Sequence, residues 1–502
     1  MFSRKTTKHF LYKHSIHVNN KNKENYMVII RSRRRLYLKN LKEKVRKSFK
    51  GCEDFKMLEI GNSTNIFVCF FNCLIDQRRL NQDILKPITD SKIKDVNKLK
   101  KYIQDGNIYD VDLKEVYDVT DVVEQVLTGN TAIILENIAY IFETKGFDKR
   151  SIQEPTGEKS SKGSKDSFIE VLATNLAMVR RRTATNRLKV EMQEIGEITK
   201  TSAALLYIEG EVDKEVLKRV KENINNLNIP ALTSLSEFEE NIVDSKYSMY
   251  PQLVYTERPD KLCSNLLEGK IGIIIDGYSV AYIVPGLFPM FMQATEEYST
   301  NYVMGSLTRF LRYICLAISL ILPGLYVAIT TFHQEMIPTK LAQAIINSKQ
   351  DVPFPAFLEI IIMLIAFEIL LEAGARMPQN IGQTVSIVGG LIIGEAAVNA
   401  KFVSPAVVVV VAAAGVCGFL LPNQDLANAT RINRMILVLS ASVAGLFGIS
   451  VAIMGIVAYL SNLDSFGVPY LKPFVANENK GLFADTMFRG VNRKTKDKMR
   501  RW

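Results

Sequence analysis

Charged side chains stand inside a run that is otherwise apolar enough to cross a bilayer. Glu368, Glu372 and Arg376 follow an i, i+4, i+8 spacing, so on a helix they share one face. A charge at bilayer depth costs about 2.5–3.5 kcal/mol or more unless it is paired or meets water, so these groups must face the protein interior. Two chemistries fit: an ion-paired ladder that fixes helix packing, or an acidic lining for a cation path. Glu359, near the opposite end of the same run, is expected to reach the interface. Glu395 lies in a Gly-rich stretch with Gly389 and Gly390, where a pore role and a packing role fit equally. Pro323 and Gly324 interrupt another apolar run. Such a pair removes a backbone hydrogen bond, which makes it a candidate hinge or a static kink.

Catalysis is not indicated. The chain has no Walker lysine loop, no HExxH and no GxSxG, and three of its four histidines (His9, His14, His17) lie in a basic arm. No catalytic residue, cofactor site or metal site is assigned. The six cysteines form no CxxC pair, and two of them, Cys315 and Cys417, fall in apolar runs, so reduced packing residues are expected.

The elements that must position the charges are membrane helices. Up to about Gln293 the sequence reads as a charged soluble protein; from Tyr302 to Leu463 it carries apolar runs long enough for a core of about 30 Å. Full spans are expected at Leu311–Thr331, Phe354–Ala375, Val403–Leu421 and Met435–Leu460. The stretch Ile381–Val398 is read as re-entrant, its small residues allowing close packing inside a bundle. Ala281–Met292, broken by Pro285 and Pro289, is read as interfacial or re-entrant. With both termini cytoplasmic, four crossings satisfy the requirement for an even number, and a fifth at Ile381–Val398 balanced by one at Ile271–Met292 is the costlier alternative.

The soluble half contains a diverged repeat. Leu127-Thr-Gly129-Asn130 precedes the apolar run Thr131–Leu135, a turn at Glu136-Asn137 and a second apolar run at Ala139–Ile141. Leu267-Glu-Gly269-Lys270, Ile271–Ile275, Asp276-Gly277 and Ala281–Ile283 repeat the pattern. Each copy reads as a helix closed by glycine, then a strand, a tight turn and another strand. Upstream, Ile66–Phe71 and Ala203–Ile208 are expected strands, followed by helices at Asn81–Pro87 and Asp213–Asn226. The fold class is therefore two tandem small α/β subdomains followed by an all-α polytopic transmembrane domain. The boundaries are a basic arm at 1–55, a first subdomain at 56–150, a linker at 151–167, a second subdomain at 168–293, the transmembrane domain at 294–465 and a basic tail at 466–502.

The net charge of +11 gathers at the two ends. The charge holds those ends on the cytoplasmic side and favours anionic lipid over nucleic acid, since no stacking motif accompanies it. A helix expected from Phe168 to Thr183 ends in Arg180-Arg181-Arg182, which reads as a solvated face or a surface for an acidic partner.

Longer strings carry a resemblance. Thr331-Phe-His-Gln-Glu-Met-Ile-Pro-Thr339, Val352-Pro-Phe-Pro-Ala-Phe357, Ile381-Gly-Gln-Thr-Val-Ser-Ile-Val388, Ser465-Phe-Gly-Val-Pro-Tyr-Leu471, Thr174-Asn-Leu-Ala, Val179-Arg-Arg-Arg182 and Val254-Tyr-Thr-Glu-Arg-Pro-Asp260 together resemble the A-subunit family of spore germination proteins, the GerA family. The resemblance implies a polytopic, oligomeric subunit of the inner spore membrane. It would be partnered by a transporter-like B subunit and a lipoprotein C subunit, and would release monovalent cations after nutrient sensing. A SpoVAF-type germination amplifier and a non-conducting scaffold are the alternatives. Where this chain has Glu395 the family commonly has Gln, and where it has Gly163-Ser164 the family commonly has a Gly-Pro step.

Overall fold

The computed structural model describes residues 41–60, 66–91, 93, 95–108, 113–146, 155, 157–158, 163–376, 394–474 and 486–489. Gly389, Gly390, most of the basic arm and most of the basic tail lie outside them. The chain divides into two compact units, Met1–Ser151 with Ala173–Met192, and Ile152–Leu172 with Gln193–Trp502.

The first unit is built on an antiparallel sheet of β1 (Phe55–Ile60), β2 (Ile66–Phe71), β3 (Lys114–Val116), β4 (Thr131–Leu135) and β5 (Ile138–Phe142), in the spatial order β1-β2-β4-β5-β3. Every residue of β2 is buried because both faces are covered. Phe67, Cys69 and Phe71 alternate toward α1 (Leu41–Ser48) and, beyond them in the chain, the helix Val119–Leu127. Ile66, Val68 and Phe70 point the other way, against the helical stretch 77–90 and the helix Val96–Gln104. That two-residue period converts a continuous apolar run into a central strand. Helix α1 presents Leu41 and Val45 to this core one turn apart.

The second sheet repeats the first strand for strand. It contains β6 (Leu188–Ile195), β7 (Thr201–Ile208), β8 (Val254–Thr256), β9 (Ile271–Ile275) and β10 (Ala281–Val284), in the order β6-β7-β9-β10-β8. The expected repeat is present, with Gly129 and Gly269 at φ +91° and +85° closing the helices before β4 and β9. Helix Lys214–Asn225 starts at an Asp213 side-chain cap, as the sequence predicts. Ala281–Met292 is not one continuous segment. Residues 281–284 are a buried inner strand, and Leu287, Phe291 and Met292 are buried beyond it, with the Phe291 ring 6.1 Å from that of Tyr470.

The helical region contains two helices long and apolar enough to cross a membrane, Tyr302–Thr331 and Gln424–Asn462, both partly exposed along their lengths. Between them lie Ala356–Arg376, which carries three carboxylates, and the shorter Pro405–Phe419. For reference, α2 is Tyr302–Thr331, α3 Thr339–Lys349, α4 Ala356–Arg376, α5 Pro405–Phe419 and α6 Gln424–Asn462. Pro323 and Gly324 lie inside the helical span of α2, buried against α6, and a Cβ on Gly324 would come 3.2 Å from the Leu437 carbonyl.

The expected single crossing at Met435–Leu460 is instead a hairpin. Ala444 and Gly445 leave helical geometry (φ −132°, ψ 16° and φ 59°, ψ −136°). A straight 39-residue helix would be about 58 Å long. Yet Tyr250 reaches both arms: its hydroxyl accepts from Asn433 Nδ2 at 3.0 Å, and its ring lies 6.1 Å from that of Tyr459. Just past the second arm, Ser465 donates to the Gln252 carbonyl at 2.8 Å, so the chain returns to the sheet it left.

Candidate functional site

The base of the bundle is assembled from both soluble and helical residues of the second unit. Glu297, only 2% exposed, is held between Arg309, which is fully buried, and Arg312. Arg309 Nε donates to Glu297 Oε2 at 2.6 Å. Residues Tyr298 and Thr300 also accept through their carbonyls from Arg489, which brings a piece of the C-terminal segment to the foot of α2. The first expected span began at Leu311, which left Arg309 outside it and Arg312 at its edge, although α2 starts nine residues earlier. A charged residue beside a helix start carries too little information to announce such a cluster.

A polar cavity of about 550 Å³ opens at this base. Glu368, Glu372 and Arg431 from the helices line it together with Glu158, Glu257, Lys261 and Glu296. The expected ladder is split. Glu372 binds Arg376 at 2.6 Å as an exposed i, i+4 pair, while Glu368 turns to Arg431 of α6 at 2.9 Å. The arrangement gives a wet, mixed-charge mouth at one end of the bundle, and paired groups of this kind tolerate partial desolvation. Glu395 is exposed on the short helix at 394–399 and does not join the other carboxylates.

The part of the linker that is described is pinned to the same side. Glu158 accepts from Lys261 Nζ and from Thr256 Oγ1, both at 2.5 Å. Buried Arg258 donates to the Ser164 carbonyl at 3.1 Å and pairs with Asp260 at 2.7 Å. The string Val254–Asp260 therefore holds Glu158 and Ser164, and Phe168 N–H completes the clasp on the Glu257 carbonyl at 2.8 Å.

Two expectations about charge change. Arg180 is not on a solvated face: at 1% exposure it grips Asp54 through two bonds of 2.8 Å and donates to the Leu188 carbonyl, its guanidinium lying over the Phe71 ring. Glu359 does not reach an interface. It is fully buried, accepting from the Ser404 N–H at 2.8 Å, with Lys349 Nζ at 3.4 Å. Ser404 precedes Pro405 at the start of α5, a helix-start pattern that in principle advertises a group needing a capping partner.

Among the groups outside the membrane helices whose titration is shifted by burial are Lys270 and Glu239. Lys270, completely buried behind Gly269, has its ammonium pushed down to about 7 by desolvation. Glu239 is raised from the ordinary carboxylate range by burial, partly offset by the Tyr282 hydroxyl that donates to it at 2.8 Å.

Sequence comparison decides the family. A profile described as "Bacillus/Clostridium GerA spore germination protein" matches residues 42–500. This chain belongs to the GerA spore germination protein family. Among its GerA relatives, the "Uncharacterized membrane protein YfkQ" of Bacillus subtilis is 37% identical over 441 residues, covering 86% of each chain. Spore germination protein KA of B. subtilis is 36% identical, covering 86% of this chain and 80% of its own. Spore germination protein A1 of the same organism is 34% identical, covering 82% and 85%. The crystal structure of the N-terminal domain of the A subunit of the Bacillus megaterium spore germinant receptor GerK3 is similar at 25% identity and a TM-score of 0.36, covering 49% of this chain and 92% of that one. The GerA chain is thus a membrane protein of germinant-receptor A-subunit type, with two candidate spans.

Proposed function

We propose that this chain is the ion-conducting subunit of a spore germinant receptor: an oligomer of it passes monovalent cations once partner subunits detect a nutrient. The observation that supports the reading most is the clamp of Glu297 between Arg309 and Arg312. It fastens the chain leaving β10 to the foot of α2, so a displacement of the second subdomain is carried into the membrane helix rather than absorbed by a loose tether. Glu368, Glu372 and Arg376 stand at the cavity beside that foot as a cation-attracting mouth. Glu395, exposed on a single chain, and Gly389 and Gly390 of the same stretch are assigned to contacts or lining between copies. Pro323 and Gly324 mark where α2 hinges or slides against α6.

The partners are a transporter-like B subunit, a lipoprotein C subunit, further copies of this chain and membrane lipid. Large apolar side chains such as Val443 and Phe447, 79% and 73% exposed on the single chain, require such cover. The location is the inner spore membrane, with both termini on the core side and α2, α4, α5 and the two arms of α6 among its crossing elements. The test is potassium release from spores after nutrient addition, with partner subunits intact and the protein at matched abundance. Glu368→Gln is expected to slow release severalfold; unchanged release would return Glu368 to a packing role and favour a scaffold.

A further inference from the structure

Three buried oxygens meet at the end of the bundle remote from the Glu297 clamp. Glu359 Oε1, Ser404 Oγ and Tyr326 Oη each lack a completed hydrogen bond, and Tyr326 is within electrostatic reach of both of the others. Glu359 and Ser404 have no exposed surface at all. Their chain neighbours Val327, Ile360, Val403 and Val407 belong to one buried apolar core. A carboxylate and two hydroxyls are hard oxygen ligands, and one carboxylate charge in a dry shell matches a single positive charge. Among the described residues no cluster of three or more His, Cys, Asp or Glu side chains gathers, which argues against a transition-metal or multi-carboxylate divalent centre.

The chain's own cation already stands there. Lys349 Nζ is 3.4 Å from Glu359 Oε1 and 5.8 Å from the centre of the Tyr326 ring. It comes from the end of α3, none of whose residues is buried, so little packing holds the helix in place. We propose that Glu359, Ser404 and Tyr326 form a monovalent-cation site of the sodium or potassium class, which Lys349 occupies as a tethered cation. Withdrawal of α3 removes Lys349 and makes the site available to a free ion. The inference deepens the conduction reading by naming where an ion is held.

Its test does not depend on conduction. The full chain, purified in detergent, is melted in potassium, sodium or choline chloride at equal ionic strength. The native chain is expected to respond alike to all three. Lys349→Met is expected to gain a saturable rise of roughly 2–4 °C in potassium or sodium over choline. Adding Glu359→Gln to that variant should abolish the gain, and Lys349→Arg, which keeps the tethered charge, should behave as native. If Lys349→Met does not fold, Lys349→Gln gives the same readout. A melting temperature indifferent to the cation in Lys349→Met and Lys349→Gln, as a trapped water would give, overturns the site, as does a gain that survives Glu359→Gln. Cation binding with unaltered ion release from spores would keep the site and remove the conduction reading; absent binding with slowed release in Glu368→Gln would do the reverse.

Discussion

The two sheets share a strand order and differ in what is attached to them. In the first unit the ion pair that matters is internal: Asp54 and Arg180 tie a returning piece of chain onto the sheet. In the second, the polar contacts lead outward. Tyr250 bonds Asn433, Ser465 bonds Gln252, and the Phe288 N–H donates to the Tyr470 carbonyl at 3.0 Å. One copy of the repeat has kept its polar groups for its own stability, while the other has turned them toward the membrane helices. The two sheets are equivalent in topology, and the second carries the described contacts to the bundle.

The sharpest break in that comparison is expected from the buried pairs. Arg180→Met leaves Asp54 uncompensated at 4% side-chain exposure, which costs about 3–5 kcal/mol. Thermal unfolding of the purified chain should show an early transition, and the molecules that remain folded should release ions normally. Arg309→Met should differ in kind: Glu297 loses one partner and keeps Arg312, and ion release should fall at equal abundance. If both variants lose only stability, the division between an internal and an outward-facing copy fails.

The glycines that end the helices before β4 and β9 give a smaller effect and grade the two copies. Both sit at positive φ, where a Cβ is strained, so alanine costs each about 1–2 kcal/mol. At Gly269 the new Cβ would also lie 2.6 Å from the Glu211 carbonyl oxygen, against 3.1 Å from the Leu74 carbonyl oxygen at Gly129. Gly269→Ala is therefore expected to lower the melting temperature more than Gly129→Ala, and equal shifts would mean that the Glu211 turn yields freely.

Those glycines are also what made the repeat legible. A helix-ending glycine, an apolar strand and a two-residue turn are all local, and each leaves its mark within a few positions. The edge strands β1 and β3 left none, because they have no buried residue and contain Lys56, Glu59, Lys114 and Glu115. The hairpin in α6 was hidden for the opposite reason. Met435 to Leu460 carries no charged residue, and Gly445 reads the same whether it serves helix contact or a reversal; the contact that settles it, with Tyr250, lies far away in sequence. Glu359 was misjudged because its partners, Lys349 and Ser404, are on other helices.

Lys270 carries the comparison into pH. The equivalent residue in the first copy is Asn130, which does not titrate. Below about pH 7 Lys270 is charged in the folded and unfolded chain alike, and the fold bears the cost of burying the charge. Between about 7 and its ordinary value of 10.5 the unfolded chain holds a proton that the folded chain has released, so stability rises with pH. Thermal unfolding of Lys270→Met should be less dependent on pH across that window and higher near neutrality than that of the native chain. A native profile that falls from pH 7 to 9 while the variant's stays flat would be the wrong sign for a buried lysine.

The smallest effect is expected where the copies differ by one methyl group. Ala132 of β4 corresponds to Gly272 of β9, and a Cβ on Gly272 would approach the Leu262 Cδ1 atom to 2.8 Å. That atom is the free end of a side chain, so a rotation relieves the clash, and the lost chain freedom of glycine in a strand works in favour of alanine. Gly272→Ala should therefore change the melting temperature by about 1 kcal/mol equivalent or less in either direction. A loss of several times that amount would mean that the helix Pro259–Leu267 is locked against β9. The second sheet would then owe its rigidity to its own packing as much as to the bundle it carries.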